Sequence, residues 1–144
     1  MNGIKDQATL FCDLSQQISR IYEDYARSVG LSYTSLYALH MIALTENCTQ
    51  KFIAEQLRLP KQTLNSVIAA FRREGFVELR EKPDDKRHKT LHLTPKGNDF
   101  ASKILPQIEA AEQRSMARFS PEDRKVFLSL LQRYVTFFAS ELHR

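Results

Sequence analysis

Glycine and cysteine are scarce in this chain and long apolar runs are absent, and each shortage removes a class of function. With only 4 glycines in 144 residues, no glycine-rich loop is available to cradle a phosphate, and each glycine is expected at a terminus, a turn or a cap. The two cysteines, Cys12 and Cys48, lie far from any metal-ligand spacing and make no disulfide framework. Four histidines are scattered along the chain; His88 and His92 share one face of a strand pattern, but no further Cys or His stands at zinc spacing. No nucleophile and base recur together, and no paired carboxylates suggest acid–base work. The expectation is therefore no enzyme, no metal and no cofactor. No stretch approaches the roughly 20 apolar residues of a membrane span, and the first residues lack the apolar core of a secretion signal, so the expected location is the cytoplasm.

What is present describes an ordinary globular chain, 42% hydrophobic and 26% charged, of a length that suits one domain. Its formal charge of +4 is unevenly placed. Residues 51–96 carry 11 Lys/Arg against 6 Asp/Glu, whereas the remainder carries 10 against 11. A positive field over one segment is the electrostatic footprint expected of a polyanion-binding surface.

That segment has the organisation of a helix, a turn and a second helix. Thr49 stands where an N-cap belongs, and Phe52, Ile53 and Leu57 recur at helical spacing. Leu59-Pro60 interrupts the pattern and places proline at the first turn of a helix running from about Pro60 to Glu74. Leu64, Val67, Ile68 and Phe71 form its apolar side, Gly75 stops it, and Lys61, Gln62, Thr63, Asn65, Ser66 and Arg72 occupy the rest. Amide side chains carry the paired donor and acceptor that match adenine in the major groove, threonine offers a hydroxyl and a methyl, and Lys61 can reach a phosphate or guanine. The bland alternative for this helix alone is a solvated face.

The next residues favour the sharper reading. Val77 and Leu79 alternate with Glu78 and Arg80, and Leu91 and Leu93 alternate with Thr90 and His92, which predicts two half-buried strands. Between them Pro83-Asp84-Asp85 is turn chemistry, and Lys82, Lys86, Arg87, His88 and Lys89 are expected at a hairpin tip, where a narrow minor groove attracts cations. A basic hairpin directly after a helix-turn-helix is a wing.

The run Leu79-Arg-Glu-Lys-Pro-Asp-Asp-Lys-Arg-His-Lys-Thr-Leu-His-Leu-Thr-Pro-Lys-Gly97 resembles the wing signature of the MarR family of bacterial winged-helix regulators. Asp85 and Arg87 fall on that family's Asp-x-Arg element, and the resemblance implies that Asp85 orients Arg87 toward a minor groove. His88 departs from the pattern, since arginine is common there. The resemblance extends over nearly the whole chain and implies a mainly α fold with a small β-wing, dimerising through its N- and C-terminal helices.

The terminal segments agree with that implication on their own terms. Phe11, Leu14, Ile18, Ile21 and Tyr25 recur in steps of three and four before Gly30, and Leu128, Leu131, Val135, Phe138 and Leu142 repeat the steps after the Ser120-Pro-Glu-Asp start signal. Phe127, Leu130, Tyr134 and Phe137 make the last helix apolar on a second side, which one subunit is not expected to cover. Both terminal helices simply completing a monomeric core is the alternative. The expected division is a winged head over about 32–97 and dimerisation helices over about 5–30 and 98–144, with the helix from about Pro95 to Phe119, capped by Thr94, packing through Ile104, Ile108 and Ala111.

Inputs are less legible. A helix from about Ser32 to Leu44 carries Tyr33, Tyr37 and His40 at successive steps, and the resemblance implies that it lines an effector pocket. Phe11, Tyr33, Tyr37 and His40 are the candidates for holding a planar phenolic or carboxylated compound, against the alternative of core tyrosines with satisfied hydroxyls. Some relatives sense peroxide through a first-helix cysteine; Cys12 lies in that element but about one turn off register. Cys48 precedes the Thr49 cap, where a helix dipole can lower a thiol pKa, against the favoured alternative of an incidental cysteine. The expectation is a homodimeric, sequence-specific DNA-binding repressor of inverted-repeat operators, released by a small aromatic effector. The alternatives are a thiol-based peroxide sensor using Cys12 or Cys48, and a winged-helix protein-contact module without DNA binding.

Overall fold

A computed structural model describes residues 3–82 and 84–143. Pro83 of the wing turn lies outside the described residues. The order is α1 (Ile4–Ser28), α2 (Tyr33–Leu44), α3 (Gln50–Leu57), α4 (Lys61–Arg73), β1 (Val77–Lys82), β2 (Asp85–Leu93), α5 (Pro95–Ala117) and α6 (Pro121–Leu142). One compact unit ends at Leu105 and a second begins at Pro106, inside α5, where proline withholds a backbone N–H from the helix ladder.

Local chemistry starts and stops these helices. Ser32, Thr49 and Ser120 each accept a backbone N–H three residues on, from Ser35, Phe52 and Asp123 at 3.1, 3.1 and 3.0 Å, which satisfies a donor that the first turn leaves orphaned. Pro60 stands at the N-cap of α4, one residue before the expected first-turn position, and Arg58 turns the chain through the left-handed region at φ 49°. Gly75, at φ +75°, ends α4: its N–H bonds Arg72 O and the next N–H, of Phe76, reaches back to Phe71 O. That pair of bonds satisfies the last carbonyls and needs a residue without a Cβ at the reversal.

The core of the first unit gathers Leu36, Leu39 and Ile42 of α2, Ile53 of α3, Leu64, Ile68 and Phe71 of α4, Val77 and Leu91 of the strands, and Ala101, Ile104 and Leu105 of α5. Ala26 joins it from α1, and Tyr25 donates its phenolic hydrogen to Ile104 O at 2.5 Å. The expected apolar sides of α3 and α4 agree except at Phe52, which is exposed, because the eight residues of α3 bury only the Ile53 stripe.

The strands are antiparallel, with Val77 facing Leu93, Leu79 facing Leu91 and Glu81 facing Lys89. Pairing then shifts so that Lys82 faces Asp85. The cations Lys86, Arg87, His88 and Lys89 thus sit along strand β2, the first three in its bulged bend, not in a loop at the tip. A bulge strengthens local twist and re-aims side chains. Thr90, expected on the polar side, is buried, its Oγ1 donating to Arg80 O at 3.3 Å and 2.7 Å from His92 Nε2.

A dense junction joins the end of α4 to the start of α5. Thr94 Oγ1 accepts Gly97 N–H at 3.0 Å and donates to Gly75 O at 2.5 Å, while Lys96 Nζ donates to Glu74 O at 2.7 Å. Phe76 stacks on Phe100 with centroids 4.2 Å apart. A Cβ at Gly97 would stand 1.9 Å from Phe76 O, so only glycine allows this approach.

The second unit contains the end of α5 and all of α6. No residue of α6 is buried. Val126, Leu128, Leu130, Val135, Phe137, Phe138 and Leu142 are each at least half exposed. Ala111, expected to pack inward, is exposed, since the core that buries Ile104 ends with the first unit.

Candidate nucleic-acid interface

On α4, helical pitch places Lys61, Gln62, Asn65, Ser66 and Arg72 within a sector of about 140°, with Thr63 at its margin beside Val67. All six polar residues are exposed. Leu64, Ile68 and Phe71 occupy the opposite side and anchor the helix in the core, so the polar side is left to solvent or a ligand. Ser66 Oγ donates to Gln62 O at 3.2 Å. Arg72 and Arg73 border an open cleft of about 610 Å³ completed by Ala69, Val77, Glu78 and Leu79. The face thus carries cations at both ends and amides between them.

Asn65 is not alone on this face. Gln50 Nε2, from the first turn of α3, donates to Asn65 Oδ1 across the helix-turn-helix. No local pattern in the sequence marks Gln50 beyond its place directly after the Thr49 cap.

In the wing, Asp85 divides its carboxylate. Oδ1 accepts the backbone N–H of Arg87 at 3.0 Å and Oδ2 lies 2.9 Å from His88 Nδ1. The Arg87 N–H, and then His88, hold the Asp85 carboxyl below its ordinary range. Asp85 therefore sets the backbone of the bend from which Arg87 projects. Further down the ribbon Arg80 pairs with Glu78 at 2.6 Å, which leaves Lys82, Lys86, Arg87 and Lys89 to supply the positive field around the bulge. An α-helix with an exposed amide and cation face, next to a basic β-ribbon, has the dimensions and chemistry to sit in a major groove and reach an adjacent phosphate or minor groove.

Away from that face, Tyr33, Tyr37 and His40 form a ladder with Tyr22 of α1. Ring centroids are 6.0 Å apart for Tyr22 and Tyr33, 5.7 Å for Tyr33 and Tyr37, and 6.2 Å for Tyr37 and His40. Tyr33 and Tyr37 are 38% and 41% exposed, so the ladder is not a closed core. Partial burial, then Tyr37 and Glu23, raise the Tyr33 pKa. Phe11, about three turns before Tyr22 on α1, is half-buried.

The two thiols differ in environment. Cys48 is buried, and desolvation pushes it up to about 11, overriding the neighbouring helix dipole. Cys12 is exposed. Among the described residues no group of His, Cys, Asp and Glu is placed to hold a metal ion, and no helix is long and apolar enough to cross a membrane.

A helix-turn-helix followed by a basic two-stranded wing defines the winged-helix class, and comparison with known proteins narrows it. A sequence profile of the MarR family matches residues 29–88. The chain is 32% identical over 133 residues to the uncharacterised HTH-type transcriptional regulator YkoM of Bacillus subtilis, spanning 92% of this chain and 84% of that one. It is 25% identical to the HTH-type transcriptional repressor YetL of the same organism, over 83% of this chain and 72% of the relative. In fold it resembles Streptococcus pneumoniae FabT, solved in complex with DNA, with a TM-score of 0.79 at 18% identity over 96% and 99% of the two chains. The protein belongs to the MarR family: it is a transcriptional regulator with a DNA-binding winged helix, and not an enzyme.

Proposed function

We propose that this regulator binds an inverted-repeat operator as a homodimer and represses transcription until a small aromatic effector releases it. The observation that carries the DNA reading is the exposed amide and cation face of α4 beside the basic bend of β2. Lys61, Gln62, Thr63, Asn65, Ser66 and Arg72 are the proposed major-groove residues, and Asp85, Lys86, Arg87, His88 and Lys89 the proposed wing contacts. That FabT was solved with DNA supports the docking mode, and the naming of YetL as a repressor supports the sign of regulation.

Dimerisation is supported by the exposed apolar residues Leu14 and Ile18 of α1 and Leu128, Val135 and Phe138 of α6, with Leu131 half-buried beside them. An isologous interface through these helices sets two copies of α4 about one helical turn of DNA apart, roughly 34 Å. The winged head is then residues about 32–97 and the rest builds the dimer, acting in the cytoplasm where the DNA is. The half-exposed ladder of Tyr33, Tyr37 and His40 supports a planar effector, and Phe11 is proposed with them as a pocket residue. An effector that prefers the DNA-incompatible spacing by roughly 1–3 kcal/mol relieves repression.

Selection of bound fragments from a random duplex library at near-physiological salt tests this reading. Recovery of an inverted repeat with half-site centres about one turn apart supports dimer and function together. Weak, salt-sensitive binding without sequence preference overturns it. Equal affinity of the effector for free and DNA-bound protein removes the release mechanism.

A further inference from the structure

Between about pH 6 and 8 the side chains that ordinarily change charge are imidazoles, and the chain has four: His40, His88, His92 and His143. Of these, His88 stands in the basic bend of β2, directly after Arg87. His92, on the same strand, faces Glu78 in the regular ladder and lies 2.7 Å from Thr90 Oγ1. The tautomer of His88 follows from its neighbour. The Arg87 N–H, and then His88 itself, hold the Asp85 carboxyl ionised, and an ionised carboxylate only accepts hydrogen bonds. His88 Nδ1, 2.9 Å from Asp85 Oδ2, therefore carries the hydrogen, and in the neutral ring Nε2 is a bare lone pair. With the side chain 63% exposed and Nδ1 turned to Asp85, Nε2 is the nitrogen left for a duplex. A phosphate oxygen, itself an acceptor, gains nothing from that lone pair. A second proton, on Nε2, turns the same atom into a charged donor while Asp85 keeps its bond.

Resting on the DNA-binding reading above, we infer that His88 makes the wing's grip on the DNA backbone conditional on a proton: the neutral ring leaves a phosphate uncontacted, the imidazolium binds it, and operator affinity rises as pH falls. The charges around the ring are mixed. On its own strand Lys86, Arg87 and Lys89 oppose a further positive charge and Asp85 favours it. Across the ribbon Lys82 opposes it and Glu81 favours it, as does Asp84 in the turn. A docked phosphate backbone adds negative charge alone to that balance, so binding takes up a proton. Proton and duplex then each raise the other's affinity by the same factor.

The test uses the full-length protein and the operator recovered by selection, with affinity measured at about pH 6 and pH 8 over a range of salt concentrations. Wild type should bind about tenfold tighter at the lower pH, with a salt slope steeper by about 0.9 for each wing engaged. Calorimetry in two buffers of different ionisation heat should register protons taken up on binding. His88→Arg, a permanent cation, should bind at the higher pH as tightly as wild type does at the lower. His88→Gln keeps a donor for Asp85 but no charge, and should bind at both pH values as weakly as wild type does at the higher. His92→Gln should retain the full pH dependence. A role that is merely structural would instead weaken both His88 variants and leave the pH dependence in place. Equal wild-type affinity and salt slope at the two pH values, or a pH dependence that survives in His88→Gln or vanishes in His92→Gln, would overturn the inference while leaving DNA binding intact. A wild-type protein that recovers no sequence overturns the DNA reading and this inference with it.

Discussion

Helices α4 and α6 both carry apolar residues at helical spacing, on one side of α4 and on two sides of α6, and have opposite fates. In α4 the stripe of Leu64, Ile68 and Phe71 is at most 4% exposed, consumed by its own unit, whereas α6 buries none of its 22 residues. Hydrophobic burial is non-directional and scales with the area removed from water. A stripe already in the core therefore orients its helix and commits the other side to a ligand, while an uncovered stripe leaves its side available to a second apolar surface. The contrast separates a helix whose apolar stripe is buried from one whose apolar residues are exposed.

Breaking the covered stripe should have the largest effect. Leu64→Ala is expected to cost the protein about 3 kcal/mol, since it opens a cavity in a fully buried site; the denaturant midpoint measures it, and a loss under about 1 kcal/mol would mean that the head repacks freely. Gly97→Ala attacks the same unit through its backbone, by driving a Cβ into Phe76 O, and should lower the melting temperature by several degrees. Replacing Val135 and Phe138 by glutamate should do the reverse on α6. The head is expected to keep its fold, while sedimentation shows monomers and operator affinity falls by about a hundredfold through loss of bivalency. Monomers that bind as tightly as wild type would remove the role given to α6.

Smaller effects refine the reading side. Arg87→Ala should weaken operator binding by about tenfold and flatten preference for narrow, A·T-rich flanks, with a shallower salt dependence. An unchanged salt slope would remove the wing bend from the interface. Least disruptive is thiol labelling of the native protein. Burial raises the Cys48 pKa from 9.0 to about 11, so its thiolate remains disfavoured between pH 7 and 9 and labelling should be confined to Cys12. Folding stability conferred by that protonated thiol is complete below pH 9 and lost as pH rises through 11. Rapid modification of Cys48 at pH 8 would show that the core around it opens.

Much of the site was legible because short-range chemistry writes it. The caps at Thr49, Thr94 and Ser120, the stop at Gly75, the buried side of α4 and the alternation of Val77 and Leu79 with Glu78 and Arg80 are contests among residues within one or two turns or pleats, where periodicity and capping decide. The wing was less legible. Turn residues at Pro83 to Asp85 and a run of cations look like a loop, yet β2 begins at Asp85, because a bulge lets a strand carry extra unpaired residues and no local pattern marks it.

Residues that meet across the fold escaped sequence reasoning altogether. Thr90 is polar, yet its neighbours Arg80 and His92 satisfy its hydroxyl and allow it to be buried. Cys48 follows the loop after α2 and precedes a helix, a position that argues for a lowered pKa, but its desolvation depends on packing from several elements and reverses the sign. Gln50 and Asn65 lie fifteen residues apart, on two helices whose relative placement only their shared core sets. Helix and strand, cap and stop, and the sign of the charge over residues 51–96 follow from the order of side chains, since those interactions act over a few residues. Which polar atoms are paired, which thiol is dry and which apolar stripe stays uncovered follow from contacts between distant segments, and these exist only after the chain has closed on itself.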